Sequence, residues 1–328
     1  MENLTIEQVA ENIWSFPVVL PQNPLKWLNC YVIKGLPGER NLLIDTGFRR
    51  PECRLALEEG MRQLDIDPEE TDIFLTHLHS DHTGNAPALQ EMGSRILISW
   101  IDLDILHSES WSRRKKRVLA EGMPEDVLKD VFEHNPAVLY APPYFDAVRL
   151  MEGDTLDYGG YRLECLLTPG HTPGHMCLYA KEQRLMFLGD HVLFDITPNI
   201  CNWEELEDAL GAYLDSLRAI MKYDVQTALP GHRHCGEITL QARCETLLRH
   251  HERRLAEAEQ VVRMNPGIQA YDTAGKMTWK IRSRNWEEFP PGQKWFAVGE
   301  TLAHLDYLTL RGKVERYTDA EGKIHYRA

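Results

Sequence analysis

His77, His79, Asp81 and His82 stand within one six-residue stretch, His77-Leu78-His79-Ser80-Asp81-His82. Three imidazoles and a carboxylate offer the nitrogen and oxygen donors that zinc, iron or manganese take. A single open catalytic zinc usually takes three protein ligands, so this stretch with distant partners exceeds one ion's needs. Two ions about 3.5–4 Å apart would use such a set naturally. Three more positions resemble His77 in where they fall. His171, Asp190 and His232 each follow an apolar, strand-like run, as His77 follows Asp72-Ile73-Phe74-Leu75-Thr76. Loops leaving a rigid strand scaffold are where catalytic groups concentrate.

The elements that must position these residues follow from the pattern. Val18–Leu20, Cys30–Ile33 and Asn41–Ile44 read as short strands, the last ending at Asp45-Thr46-Gly47. Helical spacing runs over 52–64 and again over 84–92, and Ile96–Ile98 reads as the next strand. Residues 101–135 are charged and helical and contain Arg113-Arg114-Lys115-Lys116-Arg117. That run reads as a solvated helix face, with an anion-attracting lid beside the active site as the sharper alternative. Leu163–Leu167, Met176–Ala180, Arg184–Leu188 and Thr227–Leu229 read as strands, with a helix from about Trp203 to Met221. A long helix from about Leu240 to Met264 stops at Asn265-Pro266-Gly267. Helix signals at 295–311 precede a hairpin pattern at 313–317 and 323–327, which suggests a small winged-helix-like module.

The stretch His77–His82 carries the pattern H-x-H-x-D-H. With Thr168-Pro169-Gly170-His171-Thr172, Gly189-Asp190 and Pro230-Gly231-His232 in that order, the chain resembles the metallo-beta-lactamase superfamily over roughly residues 15–235. The resemblance implies an α+β fold, an αββα sandwich with metals at one edge. A helical insertion at about 100–145 and the winged-helix-like module would be added to it. The expected domains are 1–238 and 239–328. By position, His77, His79 and His171 would hold a first ion, Asp81, His82 and His232 a second, and Asp190 would bridge both. Asp45 would support the metal loops without ligating.

Two divalent ions, zinc first with iron or manganese as alternatives, would lower the pKa of a bridging water and supply hydroxide near neutral pH. Asp81 is the group expected to orient that nucleophile and accept a proton. Thr168–His175 looks like the branch of hydroxyacylglutathione hydrolases and related thioesterases. The stretch from Phe296 to Tyr317 is similar to the C-terminal module of the lactamase-like endoribonuclease. A small carboxyl ester, thioester or lactone is the expected substrate. A nuclease or phosphodiesterase acting on RNA is the second reading, and a mononuclear iron persulfide dioxygenase the third. No export signal is visible, which argues against a true beta-lactamase.

Composition narrows the classes further. Apolar residues make up 43% of the 328, and the formal net charge is −14. So acidic a chain is not expected to bind nucleic acid through its overall field. From Ala270 to Ala328 there are ten Lys/Arg against eight Asp/Glu, a balance of only +2. No apolar run approaches the roughly 20 residues that span a bilayer. Met1-Glu2-Asn3-Leu4 does not start like a signal peptide, so a cytoplasmic location is expected. The seven cysteines form no C-x-x-C and read as reduced, packed thiols. His175 reads as a hydrogen-bonded structural histidine. The side chain of His191 should point away from that of Asp190 if its strand continues. His234 and Cys235 read as loop residues, and His250 and His251 as surface. The Trp and Tyr residues of the tail would serve a homodimer contact or a lid.

Overall fold

The computed structural model describes residues 4–235, 237–280 and 283–328; Met1–Asn3 of the N-terminal start lie outside them. Seven strands form one sheet: β1 (Glu7–Ala10), β2 (Ile13–Val19), β3 (Trp27–Ile33), β4 (Asn41–Ile44), β5 (Thr71–Leu75), β6 (Arg95–Ser99) and β7 (Val148–Leu150), in that spatial order. The first four pair antiparallel and the last four parallel. A second sheet has the order β12-β11-β10-β9-β8, with β8 (Thr155–Tyr158), β9 (Tyr161–Leu167), β10 (Met176–Ala180), β11 (Leu185–Gly189) and β12 (Thr227–Pro230).

Both sheets are covered on both faces, which explains their near-continuous apolar runs. In β10, Met176, Leu178 and Ala180 point into the core shared by the two sheets. The intervening Cys177 and Tyr179 point outward, under helices. The outer face of the first sheet carries α1 (Pro51–Gln63), α2 (Ser80–Thr83), α3 (Ala86–Glu91) and α4 (Trp100–Leu106). The second sheet carries α8 (Ala209–Ile220) and the first half of α9 (Leu240–Met264). The layers are therefore αββα, as the resemblance implies.

The insertion supplies α5 (Ser110–Ala120), α6 (Glu125–His134) and α7 (Pro136–Leu139). The tail supplies α10 (Ala270–Lys276), α11 (Pro291–Leu310) and a hairpin of β13 (Glu315–Thr318) and β14 (Ile324–Arg327). Insertion and tail share one apolar core: Val118, Leu128 and Val131 pack with Val262, Trp295, Leu302 and Tyr326.

Three local expectations change. The helix expected from about Trp203 begins at Ala209, because Asp208 caps it by accepting the Gly211 amide at 2.9 Å. The basic run is not simply a solvated face. Arg114 lies on the buried stripe Ser110–Arg114–Val118, and Arg117 pairs with Glu121 and Asp306, each at 2.8 Å. Only Lys115 and Lys116 of the five remain exposed without an ion pair among the described residues. His251 is fully buried, because it continues the α9 stripe Leu247–His251–Arg254–Ala258–Val262 that α11 covers.

Candidate metal centre

The site forms where strand ends of the two sheets meet. His77 follows β5, His171 follows β9, Asp190 follows β11 and His232 follows β12. Cross-sheet bonds hold these exits together. The Met176 amide donates to Thr76 O at 2.9 Å, and the Asn29 amide to Gly231 O at 2.7 Å.

Within that edge three groups converge: His77, His79 and His171; His77, His82 and Asp190; Asp81, His82 and His232. The donor atoms of each group lie within 4.8 Å of one another. Asp190 stands between the other donors. Its Oδ1 is 3.7 Å from His82 Nε2, and its Oδ2 is 3.7 Å from His171 Nε2 and 3.5 Å from His232 Nε2. Asp81 Oδ2 is 3.4 Å from His232 Nε2. All seven residues expected at the site are thus brought together.

The outward partners set which nitrogen of each ring faces inward. His171 Nδ1 donates to Asn199 O at 2.9 Å and His232 Nδ1 to Trp27 O at 2.9 Å. His82 Nδ1 donates to Asp45 Oδ2 at 2.8 Å. Each therefore turns its Nε2 into the site. His82 Nε2 and His232 Nε2 face each other at 3.2 Å, and His77 Nε2 faces His79 Nδ1 at 3.0 Å. His171 Nε2 and Asp190 Oδ1 are buried without a hydrogen-bond partner among the described residues. Converging lone pairs beside an orphaned carboxylate oxygen are what a cation would satisfy. The residues present fit divalent metal ions.

Electrostatics agree with that fit. Burial and the neighbouring imidazoles hold His77 and His79 well below the usual histidine range, hence neutral. Burial alone would push Asp81 up, but His232 and His82 bring it down to about 2. For Asp190, His232 and His82 likewise outweigh burial and hold the carboxyl below its ordinary value.

The flanking residues resolve as follows. His175 Nε2 accepts the Asp190 amide at 3.1 Å, so its Nδ1 carries the proton and donates to Thr168 Oγ1 at 2.8 Å. It fixes the backbone of Asp190. The strand does not continue through His191: β11 ends at Gly189, whose φ is +48°, and His191 is buried against Tyr213. The His234 ring lies 5.2 Å from that of Trp27 at a tilt of 59°, and Cys235 is exposed while the other six thiols are buried.

Several residues that position the site had no sequence signal. Asp102 on α4 accepts the Leu78 amide at 2.8 Å, the Thr172 hydroxyl at 2.7 Å and the Gly174 amide at 2.6 Å. It ties the His77–His82 loop to the His171 loop, and burial pushes it up to about 6 despite its three donors. Trp203 Nε1 donates to His171 O at 3.1 Å, and its ring lies 6.1 Å from that of His79. Arg114 lies over the other ring neighbours, 4.7 Å from Trp203 and 5.3 Å from Trp295. A lone Asp or Trp in a helix or loop carries no spacing that would have singled it out, and Arg114 stands out only as one member of the basic run 113–117.

Comparison with known proteins places this architecture. The Metallo-beta-lactamase superfamily family matches residues 28–232, and the Metallo-beta-lactamase-like, C-terminal domain family matches residues 287–328. A solved metallo-beta-lactamase family protein from Thermus thermophilus is 28% identical with a TM-score of 0.80, covering 98% of this chain and 99% of that one. Lactamase-like protein ptaB of Pestalotiopsis fici is 25% identical over 78% of this chain and 69% of its own length. An atrochrysone carboxyl ACP thioesterase of Aspergillus fumigatus is 26% identical over 65% of this chain, which spans only 39% of that protein's length. Among the described residues no helix is long and apolar enough to cross a membrane. With the family match running over more than half its length and divalent-metal donors gathered at the family's motif positions, the chain belongs to the metallo-beta-lactamase superfamily.

Proposed function

We propose that the chain is a binuclear metal-dependent hydrolase of a thioester, or of a related small carboxyl ester or lactone. The observation that carries this reading is the placing of Asp190 between two donor sets. His77, His79 and His171 would hold one ion and Asp81, His82 and His232 the other, with Asp190 shared. Zinc suits these nitrogen and oxygen donors best. When bound, such a pair of ions supplies an activated water near neutral pH and polarises the attacked oxygen.

The protein's own groups do the rest. Asp45, Asn199 O and Trp27 O occupy Nδ1 of His82, His171 and His232 and so aim each Nε2 at the site. Asp81, ionised and slightly exposed at the mouth of the site, orients the nucleophile and takes a proton at a carboxylate oxygen. Residues of α7 lie against α2, so the insertion reaches the loop that carries His79 and Asp81. That placing favours a capped pocket for a small substrate.

Support for the acyl substrate comes from relatives named as ACP thioesterases. The RNA reading draws less. Arg113 pairs with Glu204 and Glu205, Arg117 is used in the insertion–tail contact, and Arg114 is buried among tryptophans. Seven converging donors also favour two ions over one iron.

Metal analysis joined to a substrate panel tests the reading. About two ions per chain and chelator-sensitive turnover of acyl-pantetheine thioesters or lactones are expected. Faster cleavage of phosphodiesters or short RNA would move the protein to the second class. One iron per chain with oxygen uptake on persulfides would move it to the third.

A further inference from the structure

His171 is held on two sides by one short segment, residues 199–203. Its Nδ1 donates to Asn199 O at 2.9 Å, and its own carbonyl accepts from Trp203 Nε1 at 3.1 Å. This segment has almost no regular structure of its own. It is docked on α11. The Asn202 amide donates to Gly299 O at 3.2 Å. Asn199 Nδ2 donates to Glu300 Oε2 at 3.3 Å and to Phe296 O at 3.4 Å. Cys201 Sγ donates to Asn199 Oδ1 at 3.0 Å, which fixes the orientation of that amide. Cys201 also packs on Gly299 so closely that a Cβ there would stand 3.2 Å from its own Cβ.

Glu300 is partly buried and is held in turn by Arg254 Nε of α9 at 3.3 Å. Arg254 is fixed by Glu257 and by Thr278 O, and lies over the Trp279 ring at 4.2 Å. The other site histidines with a fixed outward partner rely on the sandwich itself. Thr76 meets His77, Asp45 meets His82 and Trp27 O meets His232. His171 alone among these depends on a segment seated on the C-terminal helices. The α11 side of the contact, Phe296, Gly299 and Glu300, lies within the span that matches the C-terminal domain family.

We propose that Glu300, acting through Asn199, is a positioning residue for His171, so that the C-terminal module completes the donor set containing His171. This rests on the reading above only in taking His171 as a ligand. Removing the Glu300 side chain leaves the Asn199 Nδ2 only the longer bond to Phe296 O, loosens the 199–203 segment on α11, and so loosens the orientation of the His171 ring. A loosened outward partner weakens the attached metal ligand without removing it.

The test compares wild type, Glu300→Ala, Glu300→Gln, Asn199→Ala and His171→Ala, each as the full chain stripped of metal. Zinc and cobalt(II) are titrated against a chromophoric chelator, and the cobalt d–d spectrum and metal-free melting temperature are recorded. The ion concerned is the one that His171→Ala weakens. Glu300→Ala and Asn199→Ala are expected to weaken that ion by about 10–100-fold and to change its cobalt spectrum, with the other ion within about threefold of wild type. Glu300→Gln keeps an oxygen that accepts from Asn199 and is expected to stay within about threefold of wild type for both ions. Asn199 is only half-buried, so its variant keeps the test usable if Glu300→Ala fails to fold.

Wild-type affinity for that ion in both alanine variants overturns the proposal. So does equal weakening of both ions in step with a lower metal-free melting temperature, or a Gln variant as impaired as the Ala variant. A wild type that binds a single ion defeats the two-ion hydrolase but leaves this comparison intact. If His171→Ala weakens no ion, both fall.

Discussion

Asp45 Oδ2 lies 2.8 Å from His82 Nδ1 while the same carboxylate accepts the Thr76 amide at 2.9 Å and the Thr76 hydroxyl. One buried side chain therefore sets both the ring of His82 and the start of the loop that carries His77. Asp45 has a φ of +62°, a conformation that Asp and Asn tolerate better than other side chains. Asp45→Asn should accordingly fold. Its oxygen can keep the Thr76 amide, but its NH2 then faces His82 Nδ1 and drives the ring proton to Nε2. The inward nitrogen becomes a donor, and affinity for the ion at Asp81, His82 and His232 is expected to drop by about 10–100-fold. Chelator competition on the variant checks this; unchanged affinity would show that Asp45 does not set the His82 tautomer.

Asp81 combines two properties that the other carboxylate of the site does not share. It is less deeply enclosed than Asp190, and it meets one histidine closely, His232 at 3.4 Å. Asp81→Ala is expected to lose one ion and to lower turnover by about 100-fold or more. Metal counting and steady-state rates on the same sample separate the two effects. Full metal content with full turnover would remove Asp81 from the site.

The metal-free protein should respond to pH in the opposite sense from the loaded one. Burial pushes His82 down, but Asp45 and Asp190 outweigh it and hold the ring well above the usual 6.5. His232 is likewise raised, by Asp190 and Asp81 against burial. Both rings therefore hold a second proton to higher pH than a free imidazole when no cation is present, and a cation must displace it. Calorimetric titration at neutral pH in two buffers of different ionisation enthalpy is expected to show release of about one proton or more per chain. The raised values also stabilise the metal-free fold fully below the unfolded value of 6.5, and this contribution is lost as pH rises through the folded values. Melting temperatures of the stripped chain should fall as pH rises above 6.5, while metal affinity rises over the same range. A stripped chain whose stability climbs with pH there would contradict these protonation states.

The donors at the strand exits were legible because chemistry and position coincide there. His77, His171, Asp190 and His232 each stand one to four residues beyond the end of an apolar strand, and a period of two or an apolar run is readable in one sequence. The long helix Leu240–Met264 was readable for the same reason, with Asn265-Pro266-Gly267 stopping it. What escaped depends on packing between distant segments. Nothing local distinguishes Asp102, Trp203 or Glu300 from a surface residue of the same type. His251 looked solvent-facing because charged residues surround it in sequence. Only the docking of α11 shows that Leu247, His251 and Arg254 lie on a covered stripe. The basic run misled in the same way: Arg114 and Arg117 sit on two faces that the tryptophans and Asp306 cover.

Asp102 gives the clearest case of a residue whose loss should be felt at the metals without touching them. It is fully buried, and its two oxygens receive three donors from the two loops that supply His77, His79 and His171. Gly174 lies so close that an added Cβ would stand 2.6 Å from Asp102 Oδ1, so that position admits no side chain without a shift of the loop. Asp102→Ala takes away the acceptor of the buried Leu78 and Gly174 amides and of the Thr172 hydroxyl. Destabilisation of about 2–4 kcal/mol is expected, read by urea unfolding of the stripped chain. Because the donors belong to both loops, the separation of His171 from His77 and His79 should loosen as well. Part of the metal-binding free energy would then be spent on re-imposing that separation, so zinc is bound more weakly and stabilises the variant less than wild type. The zinc-loaded variant should accordingly lose more against zinc-loaded wild type than the stripped pair differ. An equal loss with and without zinc would mean that Asp102 stabilises the fold but does not hold the two loops in register for the metals.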